Sequence, residues 1–291
     1  MKVKYIAEVS SNHNCDIERS KQFIDVSKEA GCDGVKFQLF KIEEFFAPEI
    51  LANSEVHRKR REWELSEDLI PELATHAHSL GLTFSCTPFY LAAVDVLVPY
   101  VDFYKIASYE LLWLDLLEKC AKTGKPVVFS TGMATLPEVS IALDSLVKAQ
   151  CEKITILHCN SAYPTPVADA NLASMRSLYD ICRKYQTVDN LRIEIGYSDH
   201  TVSPAVIYRA VNKYGAEFVE FHLDLDGSGE EYTAGHCWLP EQISEVISNI
   251  NSGIQADGNG EFGPSPSEIP DREWRADPSD GLRPLKLIRT T

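Results

Sequence analysis

The chain alternates short apolar, β-branched runs with longer stretches of helical periodicity, and does so without a break in composition as far as about residue 250. Strands of that kind are buried on both faces, which is the pattern of a parallel sheet whose crossovers are helices. Eight strands are expected, at residues 3–8, 34–38, 82–86, 102–107, 126–130, 153–158, 192–197 and 216–222. Three helices carry boundary signals of their own. Residues 17–30 are periodic and end at Gly31, and residues 66–80 begin with Ser66 as a candidate cap and end at Gly81. Residues 136–149 have Pro137 in the first turn, where a missing amide donor costs nothing. Periodicity does not separate a closed barrel from a doubly wound sheet. The count of eight, together with the chemistry at the strand ends, favours an α/β fold of the (β/α)8 TIM-barrel type over residues 1–253. A short C-terminal extension, 254–291, is expected to pack on the barrel without forming a separate domain, and residues 42–65 form a long insertion after the second strand.

Lysine and arginine total 28 against 43 acidic residues, a net charge of −15. That balance argues against nucleic acid or an anionic membrane surface as a partner, and an anionic substrate then needs a locally basic pocket. The basic run HRKRRE inside the insertion reads as a solvated helix face. No long apolar run of membrane-spanning length occurs, and the opening MKVKYIAEVS enters a strand pattern at once, so a cytoplasmic location is expected. The eight cysteines form no Cys-x-x-Cys pair and mostly sit in apolar runs such as FSCTPF and TILHCNS, as buried reduced thiols do.

In barrels the loops at the carboxyl ends of the strands build the active site. Here the first strand supplies Glu8, with Asn12 and His13 beyond it, the second Lys36 and Gln38, and the third Thr87. The fourth supplies Lys105, Ser108 and Glu110, the fifth Ser130 and Thr131, and the sixth His158, Ser161 and Tyr163. The seventh ends in Ser198, Asp199 and His200, and the eighth in Glu220 and His222. Any one of these alone is equally well explained as a surface lysine, a satisfied histidine or an ordinary turn. Eight strand ends converging on one cavity are not. Lys36 and Lys105, in apolar strands, require anionic partners, and the hydroxyls at 87, 108, 130, 161 and 198 offer donors to phosphate and carboxylate oxygens. A small phosphorylated acid fits. His200 and His222 end adjacent strands, the relation that two imidazole ligands of one divalent metal need. Neutral imidazole suits Mn2+, Zn2+ or similar ions. Mn2+ is the first choice here, with Mg2+ or Co2+ as substitutes, and a shell left open by only two protein ligands points to Lewis-acid catalysis.

The stretches IAEVSSNHN, AGCDGVKFQLF, FSCTPF, DFYKIASYE, TGKPVVFSTGMA, LHCNSAYPTP, IGYSDHT and VEFHLDLD run in that order from residue 6 to about 226. Together they resemble the sialic acid synthase family, the phosphoenolpyruvate-dependent condensing enzymes that make N-acetylneuraminate and related nonulosonates. The resemblance implies that Lys36, Thr87, Lys105, Ser108, Ser130, Ser161 and Ser198 hold phosphoenolpyruvate, and that His200 and His222 hold the metal. It places Glu8, Gln38, Glu110 and Tyr163 around the sugar and the reaction centre. The implied reaction joins carbon 3 of phosphoenolpyruvate to the aldehyde of N-acetylmannosamine or a related aldose. Water then adds at carbon 2 and phosphate leaves by carbon–oxygen cleavage, giving a 2-keto-3-deoxy acid. Glu8, Lys105, Glu110 and His200 are the candidate catalytic residues, with Glu110 moving protons beside Lys105. A homodimer is the implied assembly.

Three departures from the family's pattern stand out, the last two on the sugar side. Phe221 stands where the family has a lysine between Glu220 and His222. The family's acidic loop after this strand reads GSGEEYTAGHCWLP, in which Glu230, Glu231 or His236 are the candidate substitutes. The small antifreeze-like domain that lends an arginine to a neighbouring subunit's sugar site is expected to be missing, with Arg272, Arg275 or Arg283 as replacements. Two other readings compete: a Schiff-base aldolase using Lys105 or Lys36, and a non-catalytic barrel that binds a sugar phosphate.

Overall fold

The computed structural model describes residues 2–289. Eight parallel strands run in sequence order: β1 Lys4–Glu8, β2 Gly34–Leu39, β3 Thr83–Pro88, β4 Phe103–Ile106, β5 Val127–Ser130, β6 Lys153–Cys159, β7 Arg192–Asp199 and β8 Phe218–Leu223. β1 also pairs with β8, so the sheet closes into the expected barrel, and every expected strand lies within two residues of its place. A ninth strand, β9 Cys237–Trp238, takes up β8 at His222 and Leu223, where β7 leaves it after Phe221. Pairing at the closure sets the level of the site. Glu8 of β1 stands opposite Lys36 of β2 and also opposite His222 of β8.

The barrel is filled by side chains. Ile6, Phe103, Val128, Leu157 and Phe218, each from a different strand, form one buried cluster, so the interior is a packed core and not a pore. The insertion folds into short helices, Ile42–Phe45, Pro48–Asn53 and Glu55–Lys59. Its Phe45, Phe46, Leu51 and Trp63 pack against buried Phe40, Ile42 and Phe89 at the ends of β2 and β3.

The helix starts show which local signals decide. Asp16 caps helix Ile17–Glu29 by accepting from the amide of Arg19 at 2.9 Å. Thr135 and Glu138 form a capping box on helix Leu136–Lys148, with Pro137 in the first turn as expected. Ser66 corrects an expectation, for it makes no side-chain cap. A 3-10 turn over Glu67–Leu69 intervenes, and the α-helix begins only at Ile70, ahead of Pro71, whose fixed φ suits a first turn.

The chain divides into two compact units, the first ending at Asn251 and the second beginning at Ser252. Within the second, Ser265 and Glu268 form a capping box and Arg289 pairs with Asp280. Arg272, Arg275 and Arg283 are exposed there. Among the described residues no helix is long and apolar enough to cross a membrane.

Candidate active site

The carboxyl ends of the strands enclose a cavity walled by Glu8, Lys36, Gln38, Thr87, Lys105, Ser108, Ser130, Tyr163, Ser198, His200, Glu220 and His222. At its floor lie four buried charges of alternating sign. Lys36 is paired with Glu8 and lies 4.0 Å from Glu220, and Lys105 lies 3.3 Å from Glu220. Glu8 accepts in addition from the Ser10 amide at 2.7 Å and from Gln38 at 3.1 Å. Burial pushes Lys36 down to about 8, because losing water costs its ammonium more than Glu220 returns. Glu220 is held below the usual carboxylate range: burial opposes this, but Lys105 and Lys36 on either side outweigh it. The anionic partners that the lysines require are therefore supplied in part by the protein. Glu220 was visible in the sequence as a strand-end carboxylate, yet its role as shared counter-ion shows only when β8 is placed beside the lysine strands.

The hydroxyls fall into two groups. Thr87 accepts from Lys36 at 3.1 Å, Ser198 donates to Glu220 at 3.4 Å, and Ser108 accepts from the Gly132 amide at 3.0 Å. Ser130 and Ser161 have buried Oγ atoms with no protein partner. Ser161 stands outside the cavity wall proper, but a Cβ on Gly132 would collide with its Oγ and lie 2.8 Å from that of Ser108. Bare backbone thus separates two hydroxyls. Unpaired donors in a buried pocket beside buried lysines are what the oxygens of a small anion need.

His200 and His222 face each other with ring centroids 5.3 Å apart. Nδ1 of His200 lies 2.7 Å from the Asn160 carbonyl oxygen and Nδ1 of His222 lies 2.9 Å from Glu231 Oε2. Both partners only accept, so each ring carries its proton on Nδ1 and leaves Nε2 as a lone pair. This donor set fits a divalent metal, and the carbonyl and carboxylate behind the rings are the partners that fix such ligands. Burial holds His222 down at about 4 against the pull of Glu231, which keeps it neutral. Burial likewise opposes charge on His200 and on Cys159, 3.8 Å away, but their mutual attraction prevails, raising the imidazole and lowering the thiol. Tyr163 covers this corner, its ring centroid 4.1 Å from that of His200 and 5.0 Å from that of His236.

Some of the expected site residues lie elsewhere. Glu231 stands behind His222 and its carboxylate is fully engaged. Oε1 accepts from Ser10 and Ser11 hydroxyls at 2.5 and 2.9 Å, and Oε2 from His222 and, at 3.4 Å, His236. Glu230 is exposed at the start of helix Glu230–Ala234, one position round from Glu231 and therefore turned away from the cavity. Glu110 is outside the wall, its Oε2 buried without a partner, and burial lifts it to about 7 in spite of Lys105. Other strand-end polar residues are scaffolding. Asp199 accepts from Thr201, Val202 and the Trp238 indole, His158 bonds the Ala170 carbonyl, and Asn12 bonds the Leu223 carbonyl. Cys159 and Cys237 are site neighbours that the strand-end reasoning passed over, the first because a thiol in an apolar run reads as core.

Comparison with known proteins agrees with this geometry. Residues 23–262 match the family model described as the NeuB family. The chain is 38% identical over 264 residues to an uncharacterized protein of Methanocaldococcus jannaschii, covering 90% of this chain and 74% of that one. It is 33% identical over 287 residues to the N,N'-diacetyllegionaminic acid synthase of Legionella pneumophila, covering 92% and 76%. Among solved structures it matches an N-acetylneuraminic acid (sialic acid) synthetase of Leptospira borgpetersenii, in complex with citrate, with a TM-score of 0.79 at 28% identity over 96% of this chain and 93% of that one. With the barrel, the lysine-floored cavity and the family match over most of its length, the chain belongs to the NeuB family of sugar-acid synthases.

Proposed function

We propose that this chain condenses phosphoenolpyruvate with an aldose to give a 2-keto-3-deoxy sugar acid and phosphate. The observation that carries the reading is the floor of the cavity, where two buried lysines and unpaired serine hydroxyls sit beside two histidines with free Nε2 atoms. Lys36 and Lys105 bind the phosphate and carboxylate of the acid, exchanging part of their pairing with Glu8 and Glu220 for it. Ser130, Ser161, Ser108, Thr87 and Ser198 orient its oxygens. Burial of the floor strengthens each of these contacts.

His200 and His222 would hold a divalent ion, Mn2+ or in its place Mg2+ or Co2+, which supplies Lewis acidity to a carbonyl oxygen. Carbon 3 of the enol attacks the aldehyde carbon, whose oxygen takes a proton. Water adds its hydroxyl at carbon 2, and the carbon 2–oxygen bond to phosphorus breaks with the electrons leaving on phosphate. Atoms balance as acid plus aldose plus water to keto acid plus phosphate. Glu110 stands outside the cavity wall, so the candidate catalytic carboxylate placed to give and retake the proton is Glu8. Glu8 and Gln38 line the side of the cavity left for the aldose, with Tyr163 over it.

The names of the Legionella and Leptospira relatives support an amino sugar, N-acetylmannosamine or a relative of it, as the acceptor. Glu231 is saturated by protein donors, which leaves Glu8 and Gln38 as the better sugar contacts. A homodimeric, cytoplasmic enzyme is the accompanying expectation.

Phosphate release from phosphoenolpyruvate, followed across a panel of amino and neutral aldoses with and without Mn2+, tests the proposal. Release that depends on aldose and is abolished by chelator is the expected result. If no aldose releases phosphate, the condensation is wrong. Borohydride trapping that survives chelation would favour the Schiff base.

A further inference from the structure

Behind the cavity wall, the loop after β8 gathers donor groups that the condensation does not use. His222 from β8, Glu231 from the helix Glu230–Ala234, and His236 and Cys237 at the start of β9 each offer one ligand atom, and the four atoms all lie within 4.8 Å of one another. From Glu231 Oε2 the distances are 2.9 Å to His222 Nδ1, 3.4 Å to His236 Nε2 and 3.8 Å to Cys237 Sγ. Nitrogen and oxygen ligands at about 2.0–2.1 Å and sulfur at about 2.3 Å from one tetrahedral ion stand roughly 3.3–3.6 Å apart, and the three distances from Glu231 Oε2 fall on either side of that range.

A second observation is independent of those distances. His236 is only 6% exposed, and its Nδ1 is buried with no protein partner. Its other nitrogen, Nε2, faces Glu231 Oε2 at 3.4 Å, so the ring turns a ligating atom toward the carboxylate that His222 and Cys237 also meet. Cys237 is 2% exposed, and its thiol points at the same carboxylate oxygen. Charge agrees with the geometry, because one carboxylate and one thiolate neutralise a divalent ion where water is scarce.

We propose that the β8–β9 loop is a second metal site, of two nitrogens, one oxygen and one sulfur, for a thiophilic divalent ion of the zinc class. The Cys237 sulfur is what gives the site its preference for such an ion. Binding sends the Cys237 thiol proton to solvent and moves the His222 ring proton from Nδ1 to Nε2, so that the imidazole stays neutral. The two sites therefore compete for the His222 ring, since an ion on Nδ1 leaves the proton on Nε2, the atom that the cavity pair would use. A zinc-class ion therefore bears on the catalytic corner without entering it.

Cobalt tests this, because a thiolate ligand gives Co2+ an intense near-ultraviolet charge-transfer band that imidazole and carboxylate do not. Full-length protein stripped with chelator is titrated with Co2+ and the absorption recorded. The expected result is a thiolate band that saturates with one equivalent, is lost in Cys237→Ser, is weakened at least tenfold in apparent affinity in His236→Gln, and persists in His200→Ala. Far-ultraviolet circular dichroism confirms that the variants fold. Absence of the band in the wild-type chain, its survival in Cys237→Ser, or its loss in His200→Ala would each overturn the site. Phosphate release is measured on the same samples, so a failed condensation and a failed metal site are read separately.

Discussion

Lys105 Nζ stands 3.3 Å from Glu220 Oε1, and each of the two residues is about 95% buried. The contact is a counter-ion held in reserve. It keeps the cavity floor neutral before an anion arrives, and it must loosen when one does. Glu220→Gln leaves two buried ammonium groups with only Glu8 between them, and removing one partner of a buried pair costs roughly 3 kcal/mol or more. Urea unfolding should show that loss, and added phosphoenolpyruvate should recover more stability in the variant than in the wild type. Equal recovery in both would mean that Glu220 is not what the ligand displaces.

Glu110 sets a pH dependence with a definite sign. Burial lifts it from the usual 4.5 to about 7. Between those values the folded chain keeps a proton that the unfolded chain has given up, so stability is greatest at the acid end of this window and falls as pH rises through it. The urea midpoint should decline between about pH 5 and 7, and Glu110→Gln should flatten the decline. A slope unchanged in the variant assigns the titration to another group.

Gly132 lies, without a side chain, between the Ser108 and Ser161 hydroxyls. Gly132→Ala drives a methyl group into Ser161 Oγ, so that hydroxyl must rotate away. Loss of one charge-assisted contact is worth about 1.5–3 kcal/mol, or roughly ten- to a hundredfold in KM for phosphoenolpyruvate. Steady-state kinetics with the acid varied will show whether KM rises while the aldose KM holds. A fall in kcat alone would place Gly132 outside the phosphate pocket.

Glu231 separates a sugar contact from a histidine clamp. As the acceptor of the His222 Nδ1 proton it fixes the ring that faces His200. Glu231→Gln should lower Mn2+ affinity by about 10–100-fold. Calorimetric titration with Mn2+ in the absence of substrate measures this directly. Unchanged affinity with a raised aldose KM would return the residue to the sugar.

Most of the barrel was legible because parallel strands covered on both faces are written as unbroken apolar runs, and a lysine or histidine ending such a run is conspicuous. β9 was not, since Cys237–Trp238 is a strand only because β8 offers it an open edge beyond Phe221. Glu230 and Glu231 look alike in sequence, and only a one-turn helix turns one outward and the other in. Ser66 carries a cap's chemistry at a place where Pro71 moved the helix start. The pairing of Glu220 with both lysines is a property of neighbouring strands, which no window along the chain contains.

The barrel closes where β1 meets β8, with Glu8 level with Lys36 on one side and His222 on the other. Side chains along a strand alternate between the two faces, so a slip of β8 by a single residue would turn Glu220 and His222 outward together and bring Phe221 into the cavity. The seam that completes the fold is thus also the ruler that spaces anion site from imidazole pair. Length can change freely only off that ruler, as in the 24 residues numbered 42–65, which enlarge one corner of the molecule and leave the spacing untouched.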